Sequence, residues 1–159
     1  MPARFGIGYD AHSFGAERPL VLGGVEIPHD SGLVGHSDGD AVAHAVIDAL
    51  LGAAAMGDIG RLFPDTDPRW RNADSLALLE EVRGRLWAAR LAVGNVDVTV
   101  ITERPKLAPY VDRMRERLAA VLGVPIGAVS IKAKTNEGMD AVGAGRGLQV
   151  FAVAAIMEA

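Results

Sequence analysis

The sequence contains no cysteine, so disulfide bonds and thiolate metal sites are excluded. A reducing cytoplasm is compatible with that composition and is the expected location. Positive charge is not in excess either: 16 lysines and arginines stand against 20 aspartates and glutamates, a formal net charge of −4. A nucleic-acid module needs a basic patch, and none emerges. No signal peptide is expected, because Asp10 and His12 arrive before an apolar segment has formed. The longest mostly apolar stretch, Ala41 to Gly57, is interrupted by His44 and Asp48, too short and too polar to span a bilayer. The expectation is a soluble protein without a membrane partner.

What is present suits one compact domain over residues 1–159: half of the residues are hydrophobic and 23% are charged. No repeat or linker interrupts it. Arg4 to Tyr9 reads as a short strand, and PLVLGGVEIP (19–28) as a hairpin around Gly23-Gly24. Ser37 is placed as the N-cap of a helix from Asp38 to about Met56, apolar nearly all round and therefore buried. Residues 57–71, with two glycines and two prolines, form a loop or short turns. A second helix follows Asp74 over about 75–91, a strand spans Val96 to Thr102, and a third helix spans Lys106 to Leu122. Ala128 to Lys134 and Leu148 to Ile156 are strands flanking a glycine-rich loop. The order predicts an α+β fold, a mixed β-sheet with helices packed on one face.

The chemistry concentrates in a few segments. Asp10 and His12 are two residues apart at a strand end, so their side chains share a face and can meet one ion. His44, on the buried helix, would supply a third ligand. Three mixed N and O donors with one open position suit a catalytic zinc, able to polarise a phosphate. The alternative is that His44 is a core histidine paired with Asp48 at i+4, and that Asp10 begins a turn. His36-Ser37-Asp38-Gly39-Asp40 opens the helix, where free N–H groups favour phosphate. Gly57-Asp58-Ile59-Gly60 and Phe63-Pro64-Asp65-Thr66-Asp67 add carboxylates. Lys134-Thr135-Asn136-Glu137 ends a strand in hydroxyl, amide and carboxylate groups, and Glu137 suits a hard cation such as Mg2+. A net negative protein that binds an anionic substrate must take its positive charge from metal ions.

Together GYDAH, GHSDGDAVAHAVIDALLGAAAMGDIG, FPDTDP, NVDVTVI, RPKLAP and KTNEG resemble the 2-C-methyl-D-erythritol 2,4-cyclodiphosphate synthases over nearly the whole chain. The resemblance implies conversion of 4-diphosphocytidyl-2-C-methyl-D-erythritol 2-phosphate to the cyclic diphosphate and CMP, by attack of the 2-phosphate on the β-phosphate. It implies zinc, or another divalent ion, on Asp10, His12 and His44, and Mg2+ or Mn2+ on Glu137. His36 and Thr135 fall on the positions of transition-state stabilisers. His36, Ser37, Asp58, Ile59, Gly60 and the 63–67 loop would surround the methylerythritol phosphate. Thr102, Lys106, Leu107 and Ala108, with Lys134, Thr135 and Asn136, would form the cytidine pocket. It also implies a homotrimer with sites at subunit interfaces and an axial channel able to take an isoprenoid diphosphate.

The last loop departs from the pattern. Ala141 stands where an aromatic residue is usual, Ala144 where a phosphate-contacting arginine is expected, and Arg146 in place of a glutamate. Arg146, two residues on and on the same strand face, is a candidate replacement for that arginine; a solvated or inter-subunit charge is the alternative. Two other functions compete: a metal-dependent phosphohydrolase using water as nucleophile, and a non-catalytic sensor of nucleotide or isoprenoid diphosphates.

Overall fold

The computed structural model describes residues 2–159. A five-stranded sheet runs in the order β4-β1-β7-β5-β6, with β1 Arg4–Ala16, β4 Gly32–Leu33, β5 Leu91–Ile101, β6 Val129–Lys134 and β7 Gly147–Glu158. Only β5 and β6 pair in parallel; the other neighbours are antiparallel. The predicted hairpin is present as β2 Leu20–Leu22 and β3 Val25–Ile27. The helices are α1 Ala41–Ala54, α2 Ile59–Leu62, α3 Ser75–Ala88, α4 Val111–Leu122 and α5 Asp140–Gly143. No helix among the described residues is long and apolar enough to cross a membrane.

Alternation along the strands separates two faces. Val96, Val98 and Val100 of β5 and Val150, Ala152, Ala154 and Ile156 of β7 are buried in the core that α1, α3 and α4 complete. Each fully buried Val or Ile of this kind contributes about 1.5–3 kcal/mol. The other face carries large apolar groups into solvent: Phe5 is 71% and Ile7 69% exposed, and Tyr9, Phe151, Val153 and Met157 lie open beside them.

Two glycines set how closely α1 approaches the sheet. A methyl group on Gly6 or Gly8 of β1 would collide with the carbonyl oxygen of Ala49 or Ala45. The helix backbone therefore rests directly on β1. Asp10 follows Gly8 by two residues and His44 precedes Ala45, so this contact also brings both site residues together.

Several expected boundaries change. Asp10 and His12 sit within β1 rather than at its end, because the strand continues to Ala16 and pairs with β4. Ser37 does not cap α1; Asp40 does, accepting from Ala43 N–H, and Gly39 at φ +75° keeps the segment before it out of the helix. β5 starts at Leu91, five residues early, because an irregularity between Val93 and Asn95 broke the alternation. The third helix begins only at Val111, behind a 3-10 turn at Ala108–Tyr110. The loop after β6 contains the short α5.

Candidate metal centre

Asp10 and His12 project from β1 toward α1 and meet His44 there. Asp10 Oδ2 lies 2.7 Å from His12 Nε2 and 3.1 Å from His44 Nδ1. One ligand atom from each of the three falls within 4.8 Å of the others, and among the described residues no further group of three His, Cys, Asp or Glu does so. The pairing of His44 with Asp48 is not observed; Asp48 instead accepts the Ile59 N–H at 2.8 Å.

The donor chemistry fits a divalent cation. His12 Nδ1–H donates to the Val34 carbonyl at 2.6 Å, and a carbonyl can only accept. Nε2 is then left to face Asp10, donating to its carboxylate at 2.7 Å. Gly35 allows this approach, since a Cβ there would stand 3.1 Å from the imidazole. Burial alone would raise the Asp10 pKa, but the hydrogen bonds and charge of His12 and His44 hold it below its ordinary value. For His12, burial works against protonation, yet the bond to Asp10 and its charge prevail and raise the pKa. A cation displacing that proton would find two imidazole nitrogens and a carboxylate already converged.

The segment that carries these groups is held from several sides. Arg18 donates from Nη1 to the Ser37 carbonyl at 2.6 Å and from Nε to the Leu33 carbonyl at 2.9 Å. His36 Nε2–H points to the Asp67 carbonyl at 3.4 Å, and Asn72 N–H donates to the His36 carbonyl at 2.9 Å, joining His36 to the 63–67 loop. Within that loop Phe63 is buried edge-on against Trp70, and Asp67 is engaged by Arg69 at 2.7 Å. Asp58 caps α2, which contains Ile59 and Gly60, by accepting from Arg61 N–H. Pro64, Asp65 and Thr66 complete the turn.

A second cluster forms where β5 and β6 end. Thr102 N–H donates to the Lys134 carbonyl at 2.9 Å, and its hydroxyl to the Arg104 carbonyl at 2.6 Å. Glu103 Oε1 accepts from Asn136 N–H at 2.7 Å and Gly138 N–H at 3.4 Å. This strut holds the turn on which Thr135 and Glu137 stand exposed; Glu137 adopts φ +54°, a left-handed conformation a glutamate seldom takes. Lys106 and Ala108 are exposed beside the buried Leu107.

The two clusters occupy the same end of the sheet. His12 pairs with Leu148 of β7, and Ile101 of β5 with the adjacent Gln149. With β7 between them, β1 and β5 stand two strand spacings apart, roughly 10 Å. Glu137 is thus not part of the Asp10–His12–His44 group.

Arg146 and Ala144 are not on one strand. β7 starts only at Gly147, after α5 and Gly145 at φ +76°, so the two residues share no strand face. Ala144 lines a cleft with Phe14, His29, Glu103 and Arg104, whereas Arg146 lines another with Ala11, Ser13 and Gln149. Sequence reading also passed over Val34, Ser75 and Glu103, and gave Asp38 no part beyond opening the helix. Their contributions are a backbone carbonyl and contacts over long sequence separations, which no local pattern signals.

The YgbB family model matches residues 3–157. The 2-C-methyl-D-erythritol 2,4-cyclodiphosphate synthase of Burkholderia thailandensis is 52% identical over 158 residues, covering 99% of this chain and 98% of that protein. A solved 2C-methyl-D-erythritol-2,4-cyclodiphosphate synthase in its CDP-bound form is 38% identical with a TM-score of 0.89, covering 97% of this chain and all of the other. The bifunctional IspDF of Campylobacter jejuni gives a TM-score of 0.96 at 37% identity; this chain spans 43% of its length.

Proposed function

Because the chain belongs to the YgbB family, we propose that it is a 2-C-methyl-D-erythritol 2,4-cyclodiphosphate synthase, acting in the cytoplasm on 4-diphosphocytidyl-2-C-methyl-D-erythritol 2-phosphate. An oxygen of the substrate's 2-phosphate forms a bond to the β-phosphorus. The bond from that phosphorus to the oxygen bridging to the α-phosphate breaks, and CMP leaves with the oxygen. The carrying observation is the converged Asp10, His12 and His44 with both imidazoles fixed in orientation.

The nucleophile is already anionic, so no serine or strong base has to be activated. The work is positioning two repelling phosphates and neutralising charge. Asp10, His12 and His44 would hold zinc and Glu137 would hold Mg2+ or Mn2+; bound there, the ions supply charge neutralisation and polarise phosphate oxygens. His36, fixed against the 63–67 loop, donates to the phosphate in transfer, and Thr135 presents its hydroxyl from the Glu103-braced turn. Ser37, Asp58 and the 63–67 loop surround the methylerythritol phosphate. Thr102 to Ala108, with Lys134 and Asn136, receive the cytidine.

Assembly as a homotrimer accounts for two features. The open sheet face carries more contiguous apolar side chains than a solvated surface ordinarily does. Pairing of subunits would also set the Thr135–Glu137 turn of one chain against the metal ligands of the next. In such a trimer three Arg146 side chains gather at one end of the covered face, where their charge would favour the diphosphate of an isoprenoid. Arg146→Ala is expected to abolish retention of such a ligand, read by native mass spectrometry, with CMP release unchanged. Equal retention by the variant would remove Arg146 from this role.

The functional reading is tested by incubating the purified protein with the diphosphocytidyl substrate and Mg2+, before and after zinc removal. Cyclic diphosphate and CMP are expected from the loaded protein and a sharp loss of both after stripping. Open-chain phosphates would instead establish hydrolysis, and no CMP under either condition would overturn the assignment.

A further inference from the structure

His44 meets the metal centre through one ring nitrogen and a buried polar chain through the other. Its Nδ1 faces Asp10, while Nε2 lies 2.9 Å from both Ser37 Oγ and Ser75 Oγ. A hydroxyl can donate or accept, so these contacts alone leave the imidazole tautomer open. Asp38 decides it. Its Oδ1 takes the proton of the Ser75 hydroxyl in a very short hydrogen bond and also accepts from Asp40 N–H at 3.0 Å. Its Oδ2 accepts from Ser75 N–H at 3.0 Å. A carboxylate only accepts, so the Ser75 proton is committed to Asp38 and the Ser75 oxygen must accept from His44. Nε2 then carries a hydrogen, and a cation that takes the place of the proton between Nδ1 and the Asp10 carboxylate would meet the Nδ1 lone pair.

We propose that Ser75, oriented by Asp38, is a positioning residue that fixes His44 as an Nδ1 ligand. The inference rests on the reading of Asp10, His12 and His44 as a cation site and names what tunes it. Ser75 is completely buried at the first position of α3, and Asp38 lies in the loop before α1. Asp38 N–H also donates to the Ala73 carbonyl at 3.1 Å, so the start of α3 is locked against that loop. The start of one helix thereby sets the donor atom of a histidine on another. Outer partners of this kind are worth about ten- to a hundredfold in metal affinity.

Two measurements test it. Nitrogen-15 shifts should show His44 Nε2 protonated in both the metal-free and the zinc-loaded wild-type protein; an unprotonated Nε2 in either state would overturn the proposal without any variant having to fold. Zinc affinity, read by competition with a chromogenic chelator, should fall about ten- to a hundredfold in Ser75→Ala. His44 should then populate both tautomers, and Ser75→Thr, which restores the hydroxyl, should recover part of the loss. Unchanged affinity and tautomer in Ser75→Ala would also overturn it. Failure of the wild-type protein to bind zinc at all would instead sink the reading of the triad as a metal centre.

Discussion

His44→Ala is expected to lower CMP release from the diphosphocytidyl substrate by about a hundred- to a thousandfold, the scale seen when one preorganised charge-stabilising group is lost from an active site. The metal-free variant should melt close to the metal-free parent, within about 2 kcal/mol of stability, since the imidazole sits at the edge of the core and borders solvent. The reason is charge. The reaction drives one phosphate onto another within a protein of net charge −4. Truncating His44 leaves a carboxylate and one imidazole, too few donors for a tight site. Excess Mg2+ should not restore the rate, because Glu137 stands on a turn outside this group. Steady-state CMP release and zinc content measured together decide the matter: full activity in a variant without zinc would mean that the triad is not where the phosphate is held.

The pairing of Asp10 with His12 was legible because its geometry is local. Asp10 and His12 share a face by strand alternation alone, and the Asp-x-His spacing carries that whatever the rest of the chain does. Bringing His44 to them was not legible from spacing, since it depends on the glycine contacts that seat α1 on β1. The sequence does contain Gly6 and Gly8, but their meaning appears only when the Ala45 and Ala49 carbonyls are opposite them. The spacing places Ser37 as the helix cap with Asp40 inside the first turn; Asp40 is the cap instead and Ser37 lies before the helix, because Gly39 and the Asp38–Ser75 bond hold the preceding residues in a loop. The last loop misled for a similar reason. Counting two residues from Ala144 to Arg146 as strand positions ignored α5 and Gly145, which turn the chain and send the two residues to different clefts.

Asp40→Ala is expected to destabilise the fold by about 3–5 kcal/mol, the largest single-residue effect on stability that these contacts support. The side chain is wholly buried and has three backbone donors: Gly23 N–H at 2.8 Å and Ala43 N–H at 3.0 Å on Oδ1, and Gly24 N–H at 2.7 Å on Oδ2. It therefore caps α1 and clasps the β2–β3 turn, whose two glycines occupy left-handed conformations. Alanine leaves all three donors without partners, and those of Gly23 and Ala43 away from water, each costing about 1–3 kcal/mol. For a chain of this length that corresponds to a fall in Tm of roughly 10 °C or more. Burial pushes the Asp40 carboxyl up to about 6, against the pull of the Ala43 N–H and with the charge of Asp38 adding to the rise. The folded value thus lies above the ordinary 3.8, so ionisation weakens the fold: the cost is absent below about pH 4 and complete above about pH 6. Asp40→Asn carries no titrating group, and its amide nitrogen must face one backbone donor. Its destabilisation should be smaller than that of alanine at pH 7 and should grow as the pH falls toward 4.5. Urea unfolding of parent and both variants at the two pH values tests this. Equal deficits at both pH values would show that Asp40 is not the group whose proton the fold holds, and a negligible deficit for alanine would show that the clasp is not what ties the hairpin to the helix bearing His44.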